Sequence, residues 1–181
     1  MDIHQSIEER ISSLPLLQYA FIRPGELVFS ERVRYICEHE CGRYGTSWAC
    51  PPAVGSVEEC KRRALGYDEA FVFATVSEVP AGASFEELLE KRKGHEEAAG
   101  KIKGILEELG METLMLSTES CAICESCAYP GAPCRHPDRM FPCVESFGIL
   151  ATALAERCGI EFMYGDGVVT WFGLALFRKK Q

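Results

Sequence analysis

The chain has 181 residues, of which 47% are hydrophobic and 25% charged, enough to bury an ordinary core. Its formal net charge of -8 argues against a nucleic-acid partner, which needs a basic face. No apolar run is long enough to span a bilayer and the start lacks a signal-peptide pattern, so the expectation is a cytoplasmic protein without a membrane partner.

In chain order, Ile3, Ile7, Ile11 and Leu14 share one side of a helix over residues 3–14, stopped by Pro15. Residues 26–30 read as a strand, and a polar, Gly-containing loop follows. Ser56-Val-Glu-Glu59 is a capping box that opens a helix to about Leu65. Residues 70–76 are apolar, aromatic and β-branched and read as a buried strand. A second capping box, Ser84-Phe-Glu-Glu87, opens a long helix. That helix has Phe85, Leu88, Leu89, Ala99, Ile102, Ile105, Leu106 and Leu109 at helical spacing and ends at Gly110. Gly94, Gly100 and Gly104 weaken it, and close packing or a bend would account for them. Residues 112–117 read as a strand, 118–143 as a loop, 144–157 as a helix and 168–177 as a final strand, entered by a turn at Gly165-Asp166-Gly167. Alternation of strands and helices predicts an α/β fold over residues 1–181: a single-domain sandwich with a mixed, partly parallel sheet. Two cysteine-rich loops leaving strands would carry the site.

Seven of the ten cysteines fall into two groups. The second group is Cys121-Ala-Ile-Cys124-Glu-Ser-Cys127, with Cys134 after a Gly/Pro stretch. Thiolates select Zn, Cu(I) or iron–sulfur clusters, and in a reducing compartment such groups bind metals rather than form disulfides. Three cysteines in two consecutive C-x2-C steps match the core of ferredoxin-type runs that hold a [4Fe–4S] cluster. Those runs place a fourth cysteine three residues on, where this chain has Gly131. Cys134 is the nearest substitute, with Cys143 as an alternative fourth ligand or a free thiol. Arg135, His136 and Arg139 would stabilise an anionic cluster and raise its potential. The alternative is a structural zinc held by four of these cysteines.

The first group is Cys37-Glu-His-Glu-Cys41, followed by Trp48-Ala-Cys50-Pro51-Pro52. Cys37-x3-Cys41 begins a radical-SAM spacing, but Tyr44 occupies the next ligand slot and breaks it. Gly42, Gly45 and Trp48 would let the backbone approach a cluster and shield it. Three thiolates on a cubane leave one iron open, and catalytic metal sites keep such a position. His39 and Cys60 are the other candidate ligands. His39 reads better as a solvated loop residue, and Cys60 and Cys158 as core thiols on apolar helix faces.

The strings Cys37-x3-Cys41-x2-Tyr44-Gly45-x2-Trp48-x-Cys50-Pro51-Pro52 and Cys121-x2-Cys124-x2-Cys127-x6-Cys134-Arg135-x-Pro137 resemble the DUF2284 family of predicted metal-binding proteins, found in anaerobic archaea and bacteria. The resemblance extends over most of the chain, including Glu145-Ser-Phe-Gly148-Ile149. It implies the seven cysteines as metal ligands and leaves Cys60, Cys143 and Cys158 outside the pattern, and it implies no particular reaction. Tyr44, Trp48, Arg135 and Arg139 are the residues expected around the cofactor. Three functions are open to such a chain. It could carry one or two [4Fe–4S] clusters in electron transfer to a redox partner protein. It could be an iron–sulfur enzyme using an open iron at Cys37, Cys41 and Cys50 on a small-molecule substrate. It could be a zinc-stabilised interaction module. No dinucleotide loop, P-loop or hydrolase triad motif accompanies the cysteines.

Overall fold

The computed structural model describes residues 2–180. Helix α1 (Ile3–Ile11) is followed by strand β1 (Gln18–Ile22), a short 3-10 helix (Pro24–Glu26) and α2 (Glu31–His39). Then come α3 (Val57–Ala64), β2 (Glu69–Glu78), the long α4 (Phe85–Glu108) and β3 (Met111–Leu116). A second 3-10 helix (Glu145–Phe147), α5 (Ala151–Cys158) and β4 (Val168–Lys179) complete the chain.

The four strands form one sheet in the order β1-β2-β4-β3, and every pairing is antiparallel. The expected partly parallel sheet is therefore corrected. Its physical source is visible in β2, where Ala70, Val72 and Ala74 pack into one core while Phe71 and Phe73 pack into the other. A sheet covered on both faces gives unbroken apolar strands, a pattern more common in parallel sheets. The β2-α4-β3 segment does run as a crossover between two strands of like direction, but β4 inserts between them and pairs antiparallel with both. On one face, α1 and α4 bring Ile7, Ile11, Ala99, Ile102 and Leu106 against Phe71, Phe73 and Phe177. On the other, α3, α5 and the second 3-10 helix bring Cys60, Ala64, Leu154 and Phe147 against Val72, Leu174 and Leu176.

The two capping boxes form as the sequence requires, with Ser56 and Ser84 each accepting from the backbone N–H of the third residue on. Three expectations change. The strand over 26–30 is absent; Glu26 ends the first 3-10 helix, and Phe29 contributes only an isolated bridge to Ile149. The strand lies earlier, at β1, before Pro24 and Gly25 turn the chain. The helix over 144–157 is broken because Gly148 adopts φ 76°, outside the helical region, and a Cβ there would press on Val57. Around Gly94, Gly100 and Gly104 there is open space, so close packing does not account for these glycines.

Gly173 is a glycine with a packing reason. It faces Phe73 across the β2–β4 ladder, and a Cβ at 173 would overlap the Phe73 ring. Gly173→Ala is expected to lower stability by about 1–3 kcal/mol, read as a lower urea midpoint, and the loss should shrink when Phe73→Leu is added. A loss below about 0.5 kcal/mol would contradict this packing.

His95 on α4 is 1% exposed, with Nδ1 2.9 Å from the Thr75 hydroxyl and its ring stacked on Phe73. Burial, aided by Arg92, pushes its pKa from 6.5 down to about 3. The unfolded chain therefore takes up this proton first as pH falls. The contribution of neutral His95 is intact above about pH 6.5 and erodes towards pH 3, at up to about 1.4 kcal/mol per pH unit. Urea titrations from pH 7 to 4 should show a shallower fall in stability for His95→Gln than for the parent chain; equal slopes would assign the acid sensitivity elsewhere.

Candidate metal centres

The segment from 118 to 143 leaves β3 and is closed at its neck. Ser117 N–H donates to the Pro142 carbonyl (2.8 Å) and Val144 N–H to the Ser117 carbonyl (2.9 Å), a single parallel bridge between Ser117 and Cys143. Within the loop, Cys121, Cys124, Cys127 and Cys134 are all half-buried and wall one small cavity of about 20 Å³, together with Trp48, Arg135 and His136. Arg135 donates to the Ser126 carbonyl at 2.8 Å, which folds the loop back on itself. The His136 backbone N–H lies 3.4 Å from Cys134 Sγ and donates to it.

Trp48 comes from the other cysteine segment. Its indole N–H donates to the Ala132 carbonyl at 3.0 Å, and its ring meets Tyr129 edge-on at 5.0 Å. It therefore covers the second cysteine group, whereas the sequence placed it as a shield for the first.

The first group is not confined to a loop. Cys37 lies in the last turn of α2 and Cys41 two residues beyond its end, so the pair straddles the helix C-terminus. Cys50 lies in the following turn segment and is 5% exposed. These three thiols line a wider cavity of about 270 Å³ with Arg43, Tyr44, Glu119, Cys143 and Glu145. Its far wall is residues 118–120, immediately before Cys121, so the wall of one cavity runs straight into the first cysteine of the other. The Cys50 thiol is 3.4 Å from the Ser120 hydroxyl and donates to it.

Burial pushes the Cys37, Cys121 and Cys143 thiols above the ordinary cysteine range, and the nearby Cys41 adds to the effect at Cys37. Burial likewise raises the Glu145 carboxyl, with Glu119 adding to it. In the metal-free chain these thiols stay protonated at neutral pH, so metal uptake must release protons. Among the described residues, no three His, Cys, Asp or Glu side chains converge as ligands of one ion.

Of the residues expected around a cofactor, Tyr44 lines the first cavity and Trp48 and Arg135 the second. Arg139 does not; it faces a separate groove beside α4, with Glu90 and Lys93. His39 is exposed at the end of α2, stacked on Tyr35 and bonded to its carbonyl. Cys60 is fully buried in the core, and Cys158 packs against it.

Two buried arginines brace the cysteine segments and were missed in the sequence, and one of them holds the 118–120 wall. Arg92 on α4 is 3% exposed and donates to the carbonyls of both Thr118 and Ser120. Between them stands Glu119, the one non-glycine with positive φ (55°) among the described residues. That conformation costs about 1–3 kcal/mol and persists only where the surroundings enforce it. Arg34 on α2 is also buried and donates to the carbonyls of Gly55 and Ser146, each at 2.8 Å. A signal for Arg92 did exist. Leu88, Arg92, His95, Ala99, Ile102 and Leu106 follow one 4-3-4-3-4 stripe, so a charged residue occupied an inward phase. Arg92→Met should cost about 3 kcal/mol and reduce metal uptake by both cysteine groups, measured by urea unfolding and metal analysis; loss confined to one group would mean that the wall does not serve both.

No helix among the described residues is long and apolar enough to cross a membrane. No curated protein and no solved structure matches the chain. The family described as "Predicted metal-binding protein (DUF2284)" matches residues 20–177, which include both cysteine groups and all four strands but for the ends of β1 and β4. The chain therefore belongs to the DUF2284 family of predicted metal-binding proteins.

Proposed function

We propose that the protein carries one or two [4Fe–4S] clusters and serves electron transfer or redox support of a partner protein. The observation that carries this reading is that Cys121, Cys124, Cys127 and Cys134 wall one cavity, under the cover of Trp48. Soft thiolates in that number suit iron with sulfide or zinc. The consecutive C-x2-C steps favour the cluster, because a mononuclear zinc site is ordinarily built from two separated pairs. When bound, the cluster supplies one reversible electron. The chain's own residues set its surroundings: Trp48 limits access of water, the His136 N–H bonds the Cys134 sulfur, and Arg135 places positive charge at the wall. The hydrogen bond and the positive charge favour the reduced, more negative state and raise the potential, whereas the exclusion of water opposes that state. The acidic chain would dock on a basic patch of its partner.

A second reading, an enzyme acting on a small substrate, is favoured by one observation. The first cavity has about 270 Å³ beside Cys37, Cys41 and Cys50, with Arg43 and Tyr44 on its wall. Iron, zinc and acid-labile sulfide content of protein purified without oxygen separates these readings from a zinc-stabilised interaction module. About eight irons with matching sulfide are expected for two cubanes. Cys124→Ser should then remove about half the iron, and Cys41→Ser the other half. Stoichiometric zinc without sulfide would overturn the redox reading.

A further inference from the structure

Cys143 lies outside both cysteine motifs, yet it lines the first cavity with Cys37, Cys41 and Cys50. We infer that Cys143 is the fourth ligand of a second, all-thiolate metal centre formed with these three. This inference rests on the metal-binding reading above and narrows it, because it leaves no open coordination position at the first group.

Three observations place Cys143 there. The Ser117–Cys143 bridge fixes its backbone beside the wall that faces Cys50. Arg34, one turn before Cys37 on α2, grips the Ser146 carbonyl at 2.8 Å and so ties the turn that follows Cys143 to the helix that carries Cys37. The Ser146 backbone N–H points at Cys143 Sγ, 3.2 Å away. A backbone N–H donated to sulfur stabilises a metal-bound thiolate, and Cys134, expected as a ligand in the other group, has the same feature from His136.

Glu119, Glu145 and Tyr44 are the competing oxygen donors on this wall. Three thiolates already select a soft metal, for which a fourth thiolate is the better match than a carboxylate or phenol. A zinc ion with four thiolates at about 2.3 Å would set the sulfurs only about 3.8 Å apart. The two centres would then be neighbours. Cys50 touches Ser120, and the next residue, Cys121, belongs to the other group, so one hydrogen bond and a few covalent bonds connect them.

The test uses the full chain purified or reconstituted without oxygen, with iron, zinc and sulfide analysis, EPR and metal-edge X-ray absorption. Cys143→Ser and Cys50→Ser are each expected to lose the same half of the metal and the same EPR signal. Cys134→Ser should lose the other half, and Cys158→Ala should lose none. Full metal content with an unchanged spectrum in Cys143→Ser would overturn the inference, as would loss of the half that Cys134→Ser loses. If the Cys143 variant does not fold, X-ray absorption on the unmodified chain decides: an all-sulfur protein ligand set is expected, and an oxygen ligand would assign the position to Glu145 or another donor. A parent chain with a single centre, insensitive to Cys50→Ser, would overturn this inference while leaving the second-loop centre standing. A parent chain that binds no metal would overturn both.

Discussion

The carbonyl oxygens of Thr118 and Ser120 point into the protein, away from water, and the Arg92 guanidinium satisfies both. Both cysteine cavities depend on that contact. The short segment between the two carbonyls is the far wall of one cavity and leads directly into the first cysteine of the other. It also contains Glu119 in a left-handed conformation that an unconstrained chain would leave. A buried cation is costly to dehydrate unless its donors are used, and here Nη1 of Arg92 serves both carbonyls. Arg34 likewise bonds two carbonyls on the opposite side, joining α2, the turn at Gly55 and the turn at Ser146.

The sheet explains why these contacts can be held in place. Its central strands are buried on both faces, with Phe71, Phe73 and Phe177 towards α1 and α4 and Val72, Leu174 and Leu176 towards α3 and α5. α4 lies directly on this layer, so Arg92 projects from a helix fixed by Ala99, Ile102 and Leu106. β3 ends where the second cysteine loop begins, and the Ser117–Cys143 bridge closes the neck of that loop against the end of the strand. The cysteines of the second group thus sit on irregular backbone whose entry and exit are set by regular structure. Such placement gives a metal ligand precision without requiring that the loop itself have a core.

The two cavities differ electrically. The second group has Arg135 and His136 on its wall, whereas the first has Glu119 and Glu145 opposite a single arginine, Arg43. Anionic metal–thiolate centres respond to such neighbours, with cations favouring the more reduced state and anions opposing it. Two like centres in these surroundings would hold electrons unequally, the arrangement that a directional relay needs.

Much of this was legible in the chain. The capping boxes at Ser56 and Ser84 fixed two helix starts, because a serine and a glutamate three apart satisfy local backbone groups whatever else surrounds them. The four cysteines from 121 to 134 declared themselves as a group because their separation is too short to carry them far apart. The sheet's direction was not legible, since an apolar strand reads alike in either orientation and only the insertion of β4 between β2 and β3 decided it. The spacing of Cys37 and Cys41 reads as a loop pattern in the sequence, and only the folded chain puts Cys37 on a helix and Cys41 beyond its end. Local pattern, then, determined the helix starts and the grouping of Cys121, Cys124, Cys127 and Cys134. Tertiary structure decided which face Trp48 covers, that Arg92 turns inward, and that Cys143, more than ninety residues from Cys50, shares its cavity. Such contacts are made by backbone bridges and buried cations between distant segments, and no short-range spacing records them.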